Sequence, residues 1–126
     1  MMAPIIPSVN SHEIMPLVKE IANRGALSVG YTIVRLNGAI GTIFTDWINK
    51  TMPDRASKVL HQIESVHGGS LNDSRFGTRM KGEGEFADQV KQQFKIARNL
   101  YLKDRERPTL NCGLHEIYKD GQMKLF

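Results

Sequence analysis

The chain has one cysteine, Cys112, in 126 residues. An internal disulfide is therefore excluded, and a single thiolate cannot by itself hold an iron–sulfur cluster or a structural zinc. A chain without a disulfide framework is expected in the cytoplasm. No apolar run approaches the ~18 residues that cross a membrane, and no charged segment opens the first ten residues as a secretory signal would. There is no GxSxG, P-loop or HExxH pattern and no internal repeat. The histidines His12, His61, His67 and His115 are too scattered to make a metal set, so neither a metal ligand nor a catalytic residue is assigned. Cys112, beside Asn111 and Gly113, has two readings, a redox-sensitive thiol and a structural one, and the second is taken.

What is present points to one globular domain with a core. Hydrophobic residues make up 40% of the chain, enough to fold without staples. The net charge of +4 is modest, and its excess lies in residues 68–126. A weak basic bias suits a phosphate-bearing partner.

The pattern along the chain reads as α/β. Met2-Ala3-Pro4-Ile5-Ile6-Pro7 looks like the end of a buried strand and its exit loop. Asn10 or Ser11 then caps a helix carrying Ile14, Leu17, Val18, Ile21 and Ala22 at helical spacing, closed by Gly25. Ser28 to Leu36 is the clearest strand, with Val29, Tyr31, Ile33 and Val34. Strand, helix and strand in this order form one βαβ unit with parallel pairing. Parallel sheets normally contain several covered strands, so the chain is expected to be part of something larger.

The remainder reads as mostly helical. Ile40, Ile43, Phe44, Trp47 and Ile48 mark a helix that stops before Pro53, with Phe44 and Trp47 as core rather than a stacking platform for bases. Ala56, Val59, Leu60, Ile63 and Val66 mark another, stopped by Gly68-Gly69. A long helix spans Glu85 to Leu102, and Asp120-Gly121 suggests a short hairpin between Leu114–Tyr118 and Gln122–Phe126.

The run from Leu71 to Gly84 is the most informative. It holds Arg75, Arg79, Lys81 and three glycines with little apolar content. Glycines let a backbone approach a ligand closely, and arginines fork onto carboxylate or phosphate oxygens. Asn72 and Asp73 are expected to hold the loop through local hydrogen bonds, and Glu83 to pair with Arg79. The other reading is a solvated linker.

Ala3-Pro4-Ile5-Ile6-Pro7-Ser8-Val9-Asn10-Ser11-His12-Glu13, Pro53-Asp54-Arg55-Ala56 and the run from Gly69 to Gly84 together resemble a radical S-adenosylmethionine subfamily. That subfamily is related to the spore photoproduct lyases, and the resemblance covers roughly residues 2–102. It implies a partial (β/α)6 barrel in which a CxxxCxxC loop holds a 4Fe–4S cluster and S-adenosylmethionine yields a 5′-deoxyadenosyl radical. This chain has no CxxxCxxC. The resemblance makes it the C-terminal portion: residues 1–38 as strand five, helix five and strand six, and residues 39–126 as a helical extension with the 69–84 loop.

The resemblance also implies roles. Pro4, Ile6, Pro7 and Asn10 would lie against the adenosyl group, with Ser8 where the family usually has glycine. Tyr31, Ile33, Arg35 and Leu36 would flank the adenine, and Arg35 is read either as an anion clamp or as a solvated strand end. Asn72, Arg75, Arg79, Lys81 and Glu83 would face the substrate. The partner would be the missing N-terminal barrel portion, and alone the chain is expected to be inactive. An apolar strand edge invites association, so a homo-oligomer burying Ile5, Ile6, Ile33 and Val34 is expected. Two rival readings stand: a small helical module that binds nucleic acid or phosphate through Arg75, Arg79 and Lys81, and a purely structural lid.

Overall fold

In the computed structural model, which describes residues 1–106, 108–113 and 115–116, the two apolar stretches near the N-terminus pair as expected. Met2–Ile5 (β1) and Tyr31–Ile33 (β2) form a two-stranded parallel sheet, with Met2 opposite Tyr31 and Ile5 opposite Ile33. Parallel strands need a crossover. It is made by a short 3-10 turn at Ser11–Glu13 and the helix Ile14–Asn23 (α1). Pro16 falls in the first turn of α1, where its missing N–H removes no intrahelical bond. Ile14, Val18 and Ala22 recur every fourth residue and are all buried. Gly25 ends the helix at φ +89°, and its N–H donates to the Ala22 carbonyl at 3.0 Å.

Three helices follow: Ala39–Thr51 (α2), Pro53–Val66 (α3) and Glu85–Tyr101 (α4). Pro53 opens α3 from the position where proline is best tolerated. Among the described residues the architecture is mixed α/β: four α-helices around a small parallel sheet.

Two apolar clusters hold it. In the first, one face of the sheet is covered by α1 and α4, with Ile5, Val18, Val90 and Phe94 at its centre. Phe94 is fully buried, and its ring stacks on Tyr31 with centroids 4.2 Å apart and 12° between planes. In the second, Val34 and Leu36, just past β2, pack against Ile48 of α2 and Ala56, Val59 and Ile63 of α3. The expected extension therefore packs into the same cluster as the βαβ unit, because α4 lies on α1.

Several expectations change. The second strand, expected over residues 28–36, is confined to Tyr31–Ile33 because β1 offers it only four residues. On α2 the apolar stripe is wider than the buried face: Ile48 is buried, but Ile40, Ile43 and Trp47 are exposed. The expected free edge of β2 is covered. On one side Val34 N–H donates to the Ile5 carbonyl at 2.9 Å. On the other, Ile33 N–H donates to Met80 at 3.0 Å and Leu36 N–H to Leu71 at 2.9 Å. The loop after α3 thus substitutes for a third strand. Ile5, Ile33 and Val34 are already buried within the chain, so of the four residues expected to drive association only Ile6 stays partly open. Cys112, expected as a structural thiol, is exposed. Of the hairpin expected over residues 114–126, His115 and Glu116 are helical, with Glu116 N–H donating to the Cys112 carbonyl at 3.0 Å, and the rest lies outside the described residues.

Candidate functional site

The loop between α3 and α4 is folded on one carboxylate. Asp73 is buried. Its Oδ1 accepts the Arg75 backbone N–H at 2.8 Å and the Arg75 Nε at 3.0 Å. Its Oδ2 accepts an Arg75 terminal nitrogen at 2.9 Å and the Thr78 hydroxyl at 2.9 Å. A short side chain bonding its own backbone two residues on is the turn device this residue type provides. The same Arg75 nitrogen reaches Glu83 at 2.6 Å. The side-chain hydrogen bonds of Arg75, joined by its backbone N–H, hold the Asp73 carboxyl well below the usual carboxylate range. The two carboxylates reciprocally strengthen the hold of Arg75 on its proton.

Glycine is required at one place in particular. Gly82 sits at φ +69°, and a β-carbon there would collide with the Val66 side chain. Glu83 N–H donates to the Val66 carbonyl at 3.0 Å, so the loop returns against the end of α3.

Seated this way, the loop roofs a cleft of about 480 Å³ on the sheet face away from α1 and α4. Its floor is Ala3, Pro4 and Ile6 from β1 and its exit, with Thr32, Ile33, Val34 and Leu36 from β2 and beyond. Ile40 and Phe44 of α2 form one wall, and Met80 with Arg79 and Arg35 forms the rim. An apolar floor with a few convergent polar groups is the usual form of a small-molecule site. Arg35 is half-buried and donates to the Asp73 carbonyl at 3.2 Å. The Arg79 side chain has no hydrogen-bond or ion-pair partner among the described residues, and its guanidinium lies 5.7 Å from the Phe76 ring centroid.

Of the residues expected to touch a cofactor, Pro4, Ile6, Ile33, Arg35 and Leu36 meet in this cleft, and Arg79 joins them from the substrate set. The others are elsewhere. Pro7 is buried. Asn10 splints the β1 exit, accepting from Ile6 N–H at 2.8 Å and donating to the Pro4 carbonyl at 3.0 Å. Tyr31 belongs to the opposite face with Phe94. Asn72 is exposed, and its N–H donates to the Ser70 hydroxyl at 3.2 Å. Arg75 is occupied by Asp73 and Glu83, and the expected Glu83–Arg79 pair is replaced by Glu83–Arg75. Lys81 turns to the other side, donating to the Tyr31 carbonyl at 2.6 Å.

Ile40, Phe44, Thr32 and Met80 line the cleft but were not singled out from sequence as site residues. Strand alternation was the available signal for Thr32, which shares a face with Pro4. A buried histidine was also missed: His67 Nε2 donates to the Val34 carbonyl at 2.7 Å, fixing the tautomer, while Nδ1 has no partner among the described residues.

Among the described residues no group of three or more His, Cys, Asp or Glu is placed to hold a metal ion, and none of their helices is long and apolar enough to cross a membrane. No family model, curated protein or solved structure matches the chain.

Proposed function

We propose that this chain forms part of the S-adenosylmethionine- and substrate-facing wall of a radical S-adenosylmethionine protein, as the closing βαβ unit of its partial barrel and the extension after it. The observation that carries the reading is the convergence of Pro4, Ile6, Ile33, Arg35, Leu36 and Arg79 on one cleft. That cleft opens on the sheet face left free by α1 and α4, at the ends of parallel strands, where α/β folds place their ligands.

The donor chemistry divides the labour. One exposed cysteine cannot supply the thiolates of a 4Fe–4S cluster, so the cluster belongs to the rest of such a protein. When bound there, cluster and S-adenosylmethionine together supply a carbon radical that abstracts hydrogen. The residues of this chain do the binding and orienting. Pro4, Ile6 and Phe44 offer apolar surface to the adenine. Arg79, with all its donors uncommitted, takes a carboxylate. Arg35 keeps donors free beyond its bond to Asp73 and works beside it.

The nucleic-acid alternative has less support, since two of its three cations are committed within the fold. The test uses Trp47, the sole tryptophan, whose ring lies 5.4 Å from that of the cleft residue Phe44. S-adenosylmethionine added to the chain should change Trp47 emission saturably, and Arg79→Gln should weaken the response about tenfold, as loss of one charge-assisted contact implies. An unchanged emission, or equal affinity in the variant, contradicts the reading.

A further inference from the structure

The fold leaves a second concave site that the cleft does not explain. Between the returning loop and α4 lies a pocket of about 340 Å³, lined by Tyr31, Lys81, Ala87, Asp88, Lys91 and Arg98. Three of these side chains are cations and one is a carboxylate. Asp88 lies within 4 Å of none of the three cations, so the positive charge is not neutralised by contact. The Lys91 side chain has neither a hydrogen bond nor an ion pair among the described residues.

The other two cations are fixed by carbonyls, which orient them without cancelling their charge. Lys81 donates to the Tyr31 carbonyl at 2.6 Å, and its Nζ stands 3.5 Å from the Tyr31 ring centroid. Arg98 holds the Val29 carbonyl through Nε at 3.0 Å and one terminal nitrogen, which leaves the other terminal nitrogen free. Lys81 likewise keeps two of its three N–H groups. The floor beneath them is rigid, because Tyr31 stacks on the buried Phe94.

We propose that this pocket binds a phosphate-type dianion, independently of the cleft on the opposite sheet face. Charge and geometry select that class. Three cations against one carboxylate leave an excess of two, which one dianion balances. Donors converging from a loop and from two helix positions seven residues apart suit the several oxygens of a phosphoryl group better than the two of a carboxylate. Burial, and after it the nearby Arg98 charge, push the Lys81 ammonium below the ordinary lysine range, a cost that an anion bound beside it would relieve. This cluster differs from the Arg75, Arg79 and Lys81 set expected from sequence. It shares only Lys81, and its other cations come from α4.

The test is an amide-shift titration of the full chain with inorganic phosphate, at fixed ionic strength and roughly pH 8, where the phosphate dianion prevails. Saturable shifts at Tyr31, Ala87 and Lys91 are expected. Lys91→Gln touches no structural contact and should weaken binding about tenfold, whereas Asp88→Asn should tighten it, which a merely structural role would not do. Arg79→Gln in the cleft should leave phosphate affinity unchanged, so failure here is separable from failure of the cofactor reading. Absence of saturation, or equal affinity in Lys91→Gln, overturns the proposal.

Discussion

Arg75 and Asp73, two residues apart, are joined through three hydrogen bonds, at 2.8, 3.0 and 2.9 Å. One comes from the Arg75 backbone and two from its guanidinium. The pair converts a glycine-rich run into a fixed roof, because the Asp73 carbonyl is tied to Arg35 and the adjoining backbone closes the free edge of β2. One of the two loop arginines expected to meet a ligand is thus the one that builds the site.

Removing that latch should loosen the roof and spare the core. In Arg75→Ala, a buried carboxylate loses its partner, and the Ile33 and Leu36 amides, which bond to loop carbonyls, should exchange faster with solvent. Amides inside α1 and α4 should keep their protection. Arg75→Lys should resemble Arg75→Ala, since an ammonium cannot fork onto Asp73 and Glu83 together. Unchanged exchange at Ile33 and Leu36 would show that the loop stays seated without the pair.

The same pair sets a pH dependence. An unfolded chain takes up the Asp73 proton near its ordinary value of 3.8, whereas the folded chain resists it to a lower pH. Below that ordinary value the unfolded state binds more protons, so stability falls with falling pH. The contribution is fully present above about pH 4 and is lost as pH drops through the folded value. Asp73→Asn should flatten the acid limb of a plot of Tm against pH. An identical acid limb in the variant would contradict the assignment.

Gly82→Ala should unseat the loop from the other end. It places a β-carbon at positive φ and against Val66, a strain of about 1–3 kcal/mol. Denaturant unfolding should report that loss. Gly77→Ala, also at positive φ but with open space around the new carbon, should cost less. Equal losses would mean that the contact with Val66 does not matter.

Phe94→Ala tests the first apolar cluster. Phe94 is fully buried and stacks on Tyr31, so truncation should cost about 3–5 kcal/mol. The loss should appear as a lower denaturant midpoint with phosphate and S-adenosylmethionine both absent. A loss below about 1 kcal/mol would mean that the site relaxes to fill the cavity.

The helices were legible because their signals are local. Periodic apolar residues and the stops at Gly25, Pro53 and Gly68 mark α1, α2 and α3 in the sequence. The parallel pairing followed from the strand–helix–strand order. Pairings across the fold were not legible. Nothing in the spacing of Arg75, Arg79 and Glu83 says which arginine takes the carboxylate, since that depends on the path of the loop between them. Nor does the sequence show that Met80 and Leu71 would complete the β2 edge, because a loop carbonyl offers no side-chain pattern to read. The Ile40, Ile43 and Trp47 face of α2 misled for a related reason. Periodicity identifies an apolar stripe but not how much of it a neighbour covers.

The most direct test of the central claim is to map S-adenosylmethionine on the chain by intermolecular nuclear Overhauser effects and amide shifts. The account predicts contacts from adenine protons to Pro4, Ile6 and Phe44, with shifts over residues 32–36 and at Met80, and none at Lys91. Shifts centred on Lys91 and Arg98, or no saturable shift, would contradict it.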